Sequence, residues 1–215
     1  MPLLAYCIVK QEAAVTLPSS GVQQAKIQSV SESGLVALTS EYHPLEGADV
    51  AKASALAFNE ILQELLQRTT IIPFRFPTIV DSESELIAFL REHSEEYRKA
   101  LDRLWDAVQI EINLRLGDPP PESNTERSGT EYLTKRHMRR RRLVEIASLF
   151  RERSASHSRE WRQREGGNSI RCFALVPRTE TTEFLEKMKG FQLPQDIYAR
   201  ITGPWPATEF LKEKE

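Results

Sequence analysis

The most regular alternation in the chain lies in residues 107–116, AVQIEINLRL. Every second residue of this stretch is apolar, and polar or charged residues stand between. The apolar positions are Val108, Ile110, Ile112, Leu114 and Leu116. A period of two places all five side chains on one face of a strand. The stretch therefore predicts a strand that is buried on one face and solvated on the other, and so a sheet in the second half of the chain.

The elements after this strand predict an α+β unit. A helix-rich segment runs from about 130 to 160, and residues 170–177 follow as a strand. A short helix over 180–190 and an alternating strand over 197–202 complete the series. The order is close to the βαββαβ pattern of a ferredoxin-like fold, with one strand not identified.

The first hundred residues predict a separate α+β unit that begins with strands. Residues 3–9, LLAYCIV, form a short apolar run that is typical of a buried strand. Residues 27–32 and 35–41 flank the pair Ser33-Gly34. This arrangement predicts a β-hairpin whose turn is at that pair.

Residues 71–80, IIPFRFPTIV, predict an edge strand or a strand that breaks into a loop, because its two prolines lack the N–H that a central strand needs. Arg75 stands between Phe74 and Phe76, so on a strand it would face away from both rings. The segment is either a water-facing edge or a partner-binding surface, and an exposed edge can accept a partner strand.

Two helices are predicted in this first part. Residues 49–67 have helical spacing, with Asp49 as the candidate N-cap. The apolar face consists of Ala51, Ala55, Phe58, Leu62 and Leu65. The second helix starts at Ser82, which forms a capping box with Glu85, and it extends for about 20 residues. Its apolar face consists of Leu86, Leu90, His93, Tyr97, Leu101 and Leu104.

We therefore expect an α+β protein with two small domains, 1–104 and 105–202, and a C-terminal tail over 203–215. The composition of 40% apolar and 28% charged residues is typical of soluble globular proteins. No stretch approaches the roughly 20 apolar residues that span a bilayer, and no secretory signal is expected. The two cysteines, Cys7 and Cys172, lie in apolar runs and predict buried thiols in a reducing compartment.

Positive charge is concentrated in one segment. Residues 135–164 hold eleven of the 29 Lys and Arg residues and three acidic residues, within a chain of net charge −2. The run 135–142, KRHMRRRR, is either a phosphate-tracking patch or a solvated helix face that pairs with acidic residues nearby. No strand has the interleaved aromatics of an RNA-binding sheet, so a protein-facing or solvated surface is favoured over nucleic-acid binding. Arg136, Arg139 and Arg140 are the candidate contacts.

The chain lacks the short motifs of common catalytic and cofactor sites. It contains no phosphate-binding loop, no dinucleotide-binding glycine pattern and no G-x-S-x-G elbow. No His or Cys pair has metal-ligand spacing. We therefore expect no enzymatic activity, cofactor, metal or small-molecule substrate; the alternative is an enzyme whose site is assembled from scattered residues.

The tail contains residues that are too apolar for a solvated end. Trp205 stands between two prolines, and Phe210 follows within the same turn-rich segment. The prolines reduce the freedom of the chain around the indole ring, which lowers the entropy lost when the ring docks. The tail is expected to be ordered, packed either on its own protein or on a partner.

Three segments together resemble the gas vesicle protein F/L family. IIPFRFPTIV (71–80) resembles its (V/I)-(L/I)-P-x-R-F-G-T-(V/I) segment, and GTEYLTKR (129–136) resembles its G-x-x-YL-x-x-(R/K) helix start. TGPWPATEFL (202–211) resembles its T-G-P-W-P-P-Y-x-F tail. Pro77 and Ala207-Thr208 depart from these patterns. The order and spacing match over essentially the whole chain.

The resemblance implies a cytoplasmic accessory protein of gas vesicle formation, with a modified ferredoxin-like second domain. It implies association with the small hydrophobic shell protein and with other accessory proteins. It also implies that the chain has no enzymatic activity and does not bind a membrane. The candidate contacts, besides the arginines of 135–142, are Phe74, Arg75, Phe76, Trp205 and Phe210.

Overall fold

The chain folds into two compact units. The computed structural model describes residues 1–13, 16–43, 47–117 and 129–212, with the backbone alone for 129–133, 135 and 136. The first unit comprises Met1–Ala107 and the segment from Trp205 onward, and the second comprises Val108–Pro204. The segment from Trp205 is thus part of the first unit. The folding domains 1–104 and 105–202 stay a prediction.

The first unit is built on an antiparallel sheet. Its strands are β1 (Leu3–Lys10), β2 (Ile27–Glu32), β3 (Leu35–Glu41), β4 (Ile72–Pro73) and β5 (Ile79–Val80). The strand order is β2-β3-β1-β4, and β5 also pairs with β1. The predicted hairpin is confirmed. Ser33 and Gly34 have φ values of 50° and 80°, the left-handed conformation that a two-residue turn between antiparallel strands requires.

Two helices pack on this sheet, α1 (Ala48–Arg68) and α2 (Glu83–Arg103). The start of α2 confirms the predicted cap, because the Oγ of Ser82 accepts a hydrogen bond from the N–H of Glu85 at 3.2 Å. The carboxylate of Glu85 accepts from the N–H of Asp81 at 2.9 Å. The backbone N–H groups of Asp81 and Glu85 thereby both have hydrogen-bond acceptors at the helix start.

The start of α1 differs from the prediction. Gly47, with φ of 115°, occupies the N-cap position, and Asp49 lies in the first turn, so the predicted Asp49 cap is wrong. Ala51 is exposed, and Ser54 is the first buried residue of the helix. The first turn therefore projects beyond the surface on which the rest of α1 packs.

The second unit has the element order βαββαβ. Its elements are β6 (Ala107–Leu116), α3 (Gly129–Ser154), β7 (Glu160–Gly166), β8 (Ser169–Pro177), α4 (Thr181–Lys189) and β9 (Ile197–Trp205). The sheet order is β7-β8-β6-β9. This element order is typical of ferredoxin-like domains, and the assignment of the second unit to that fold stays a prediction.

β7 is the strand that the sequence analysis did not identify. The helix predicted to reach about 160 ends at Ser154. Residues 160–166, EWRQREG, then form an antiparallel pair with 169–175. Because β7 has only one apolar residue, Trp161, its strand character comes from its pairing with β8 rather than from an apolar pattern of its own.

The apolar alternation of β6 is confirmed, since Ile110, Ile112, Leu114 and Leu116 lie in the core of the second unit. The opposite face of the strand is not solvated throughout, because Gln109 is buried, with 5% of its surface exposed. The helices contribute to the same core through Leu143, Ile146, Ala147, Phe150, Phe184 and Met188. One face of the sheet is thus covered by α3 and α4, and we call the opposite face the outer face. Among the described residues, no helix combines the length and the apolar character needed to cross a membrane.

Candidate partner-binding surfaces

Residues 71–80 run along β1 as an interrupted edge, as predicted. The N–H of Phe74 donates to the carbonyl oxygen of Tyr6 at 2.9 Å, and the N–H of Ala5 donates to that of Thr78 at 2.9 Å. The regular pairing is limited to the two short strands β4 and β5. A broken edge with two prolines offers few backbone groups to an added strand, so this geometry disfavours strand addition by a partner.

Phe76 is part of an aromatic cluster inside the first unit. Its ring centroid lies 5.3 Å from that of Phe58 and 6.4 Å from that of Tyr42. Phe58 stacks in turn on the buried ring of Tyr6 at 5.3 Å. Such contacts favour a packing role for Phe76.

Tyr6 also holds a loop in place through its hydroxyl group. The Oη of Tyr6 lies 2.7 Å from the Oγ of Ser40 and accepts from the N–H of Val22 at 2.8 Å. Burial raises the pKa of the Tyr6 hydroxyl, and these two hydrogen bonds offset part of the increase. The ring therefore connects the sheet to the segment before β2.

Phe74 lies in a different environment, at the end of a row of half-buried rings on α2. Its ring centroid is 5.9 Å from that of Phe89. The ring of His93 follows at 4.5 Å from Phe89, and that of Tyr97 at 5.7 Å from His93. We call Phe74, Phe89, His93 and Tyr97 the aromatic stripe.

The aromatic stripe arises from helical spacing, since Phe89, His93 and Tyr97 are four residues apart and therefore share a face of α2. The Nδ1 of His93 lies 3.0 Å from the carbonyl oxygen of Phe89, which fixes the imidazole between the two other rings. Burial is the main reason that the pKa of Tyr97 is raised.

Arg75 is exposed next to Phe74 and points to solvent.

The arginine run of α3 contacts other parts of the second unit through Arg139, Arg140 and Arg142, whereas Arg141 pairs with Glu145 of the same helix. Its contacts are Arg139 Nη2 to Gly117 O (2.5 Å), Arg140 Nη2 to Glu165 Oε2 (2.8 Å), Arg141 Nε to Glu145 Oε1 (3.2 Å) and Arg142 Nη1 to Asp196 Oδ1 (3.5 Å). These contacts join α3 to the end of β6, to β7 and to the segment before β9. Exposed ion pairs of this kind each contribute about 0–1 kcal/mol.

This geometry is the one expected of a solvated helix face that pairs with nearby acidic groups. The side chains of Arg139 and Arg140 have partners within their own unit, and a role for them in binding another protein stays a prediction. The side chain of Arg136 lies outside the described residues.

The tail is docked on the first unit. Phe210 is fully buried, with 0% of its surface exposed. The guanidinium of Arg103, at the end of α2, donates to the carbonyl oxygen of Phe210 and, at 3.2 Å, to that of Leu211. Trp205 is half-buried. The structure thus brings the tail and Phe74 to the same helix, α2, whereas the arginine run belongs to the other unit.

The two cysteines lack the features of reactive or ligating thiols. Both are buried, and burial raises the pKa of each thiol, that of Cys172 to about 12. A thiol that stays protonated at neutral pH is a poor nucleophile and a poor metal ligand. Within the described ranges, no three His, Cys, Asp or Glu side chains form a group that could hold a metal ion.

Comparisons with known proteins agree with this architecture. A family model described as "Gas vesicle synthesis protein GvpL/GvpF" matches residues 2–212. The chain is 25% identical over 191 residues to gas vesicle protein L of Streptomyces sp. (strain CB03234). This match covers 77% of this chain and 71% of that protein.

Two crystal structures of the gas vesicle protein GvpF are similar in fold. The protein from Microcystis aeruginosa matches with a TM-score of 0.78 and 14% identity, over 99% of both chains. The protein from Anabaena sp. PCC7120 matches with a TM-score of 0.77 and 14% identity, over 100% of this chain and 97% of that one. With two α+β units, a proline-interrupted edge and a docked tail, and with a family model that spans nearly its whole length, the chain belongs to the gas vesicle synthesis protein GvpL/GvpF family.

Proposed function

We propose that this chain is a non-enzymatic accessory protein of gas vesicle formation that binds the small hydrophobic shell protein and supports its assembly. The aromatic stripe is the observation that carries the proposal. A shell subunit has large apolar surfaces before it polymerises, and such surfaces aggregate in water. A folded partner that covers them keeps the subunit available for growth of the shell.

The aromatic stripe suits this role because its rings are fixed and only half-buried. Aromatic side chains have few rotatable bonds, so they lose little conformational entropy when a partner covers them. They are also enriched among the residues that dominate binding at interfaces. An apolar surface of the shell subunit is the occupant that we assign to this surface, in the cytoplasm and during vesicle assembly.

The proposal is tested by co-expression with a shell protein and measurement of the soluble fraction of that protein. The test variant is the double substitution Phe89→Ser and Tyr97→Ser, which removes two rings of the aromatic stripe. The matched control is Leu56→Ser, since Leu56 is an apolar residue of α1 that is 57% exposed. Circular dichroism and the thermal unfolding midpoint establish that each variant is folded.

We expect the wild-type protein and the Leu56→Ser variant to keep the shell protein soluble, and the double variant to lose this effect. If the wild-type chain leaves the shell protein insoluble, shell-protein binding is refuted. If the folded double variant is as effective as the wild type, the aromatic stripe is not the binding surface.

A further inference from the structure

The outer face of the second unit carries four exposed arginines, one on each of its four strands. They are Arg115 on β6, Arg164 on β7, Arg171 on β8 and Arg200 on β9. The residues on either side of Arg171, Ile170 and Cys172, lie in the core. Because side chains alternate along a strand, Arg171 points away from α3 and α4. The same alternation applies on the other three strands, and we call the four residues the outer arginine cluster.

Strand pairing brings members of the cluster together. Arg164 lies directly opposite Arg171 in the register of β7 and β8. Like charges in such a position repel each other and destabilise the sheet. The guanidinium of Arg171 donates two hydrogen bonds to the carboxylate of Glu111 on β6, at 2.7 and 3.1 Å. This bidentate pair shows that the outer face already presents a carboxylate-binding geometry.

Arg115 has an aromatic neighbour across the next strand pair. The N–H of Gly117 donates to the carbonyl oxygen of Asp196 at 2.8 Å. Gly203 of β9 lies against Gln109 and Ile110 of β6, so the two strands are antiparallel. Arg115, two residues before Gly117, therefore lies opposite Tyr198, two residues after Asp196. Tyr198 is 63% exposed. The outer face thus combines cationic groups with one exposed aromatic ring.

Positive charge exceeds negative charge on this face. The outward positions of its four strands hold five arginines and two glutamates. The two carboxylates, Glu111 and Glu160, are bound by Arg171 and Arg162. By this count of outward positions, the excess charge of the second unit's sheet is located on the outer face. Three members of the arginine run of α3 are likewise paired with acidic side chains.

We propose that the outer arginine cluster binds an acidic protein segment rich in Asp and Glu. Carboxylates match the planar fork of arginine, as the Arg171–Glu111 pair illustrates. Four strands at about 4.8 Å spacing make the face about 14 Å wide, and an extended segment crosses it with about four or five residues. The crossing lies at the end of the face that carries the exposed arginines, away from the buried Phe173. This surface belongs to the second unit, so the inference is independent of the aromatic stripe and of shell-protein binding.

Single-stranded nucleic acid fits the outer face less well. Base recognition on a sheet of this kind uses exposed rings on the central strands. The ring of Phe173 on β8 is fully buried, and β6 presents Glu111, Asn113 and Arg115. Tyr198, the exposed ring of this face, is on the edge strand β9 rather than on a central strand.

The proposal is tested with the full chain and a dye-labelled hexaglutamate peptide, using fluorescence polarisation at low and at physiological salt. The test variant carries Arg115→Gln and Arg200→Gln on the outer face. The matched control carries Arg140→Gln and Arg141→Gln, which removes the same charge from α3. A hexaglutamine peptide and a uridine hexanucleotide are the comparison ligands.

We expect the hexaglutamate peptide to bind in a salt-dependent manner, with affinity reduced at least about tenfold in the outer-face variant and less than about threefold in the α3 control. No binding at low salt refutes the proposal. An equal loss in both variants refutes the assignment to this face. Tighter binding of the uridine hexanucleotide than of hexaglutamate assigns the face to nucleic acid and overturns the choice of partner.

Discussion

Replacing Phe210 by alanine tests whether the tail is a structural part of the first unit in solution. The ring is fully buried, and substitutions of buried Phe by Ala cost about 3–5 kcal/mol through lost burial and the cavity that remains. If the tail detaches instead of leaving a cavity, the loss equals the docking free energy of the tail, including the hydrogen bonds from Arg103. We therefore expect the free energy of unfolding of the first unit to fall by about 3 kcal/mol or more.

The measurement is urea-induced unfolding followed by circular dichroism and by tryptophan fluorescence, since the half-buried Trp205 lies in the same segment. Limited proteolysis reports separately whether the tail becomes accessible. The matched control is Tyr198→Ala, because Tyr198 is an aromatic residue that is 63% exposed, and its replacement should change stability by no more than about 0.5 kcal/mol. A Phe210→Ala variant as stable as the wild type would refute docking on the same chain and would favour capture of a partner by the tail.

The other predictions concern a close backbone approach at Gly203 and the buried side chains of Tyr6, Cys7 and Cys172. Gly203→Ala should lower the free energy of unfolding by about 1–3 kcal/mol, because φ is 128° and a Cβ would lie 2.9 Å from the carbonyl oxygen of Gln109; unchanged stability in urea would contradict this. Tyr6→Phe should cost about 1–3 kcal/mol, because the buried N–H of Val22 loses its acceptor and the hydroxyl of Ser40 keeps only its bond to the carbonyl oxygen of Glu41. Chemical denaturation measures the loss, and a neutral result would argue against these hydrogen bonds. Cys7 and Cys172 should react with Ellman's reagent at pH 8 only after unfolding, and rapid reaction of the native protein would show that they are not buried. Since the pKa of the Cys172 thiol is about 12 in the folded state, the unfolded chain loses this proton first, and stability should decline as pH rises from the ordinary thiol pKa of about 8.5 towards 12.

The helices and strands that could be predicted from the sequence are those whose structure depends on residues a few positions apart in the chain. The alternation of β6 and the Ser82 cap of α2 are both confirmed, because each depends on a period or a spacing of a few residues. The cap of α1 was predicted wrongly, since Asp49 and Gly47 both suit a helix start and a local pattern does not select between them. β7 was missed because its residues become a strand through pairing with β8.

The candidate surfaces depend on contacts that are distant in sequence, and these could not be predicted. The partners of Arg140 and Arg142, Glu165 and Asp196, are 25 and 54 residues away along the chain. The aromatic stripe was predicted in part, because His93 and Tyr97 were placed on one face of α2, but its extension to Phe74 requires the path of residues 71–80. The same is true of the outer arginine cluster, which four separate strands assemble.

The docked tail has a consequence for the order of events during synthesis. Residues up to 107 leave the ribosome first, yet the first unit also needs Phe210, which follows after all of the second unit. At about 5–20 residues per second, the roughly one hundred intervening residues delay its arrival by about 5–20 s. During this interval the surface that will receive Phe210 is open to water and to other proteins. A nascent chain thus has a temporary apolar site, which closes only when residue 210 arrives and reaches the end of α2.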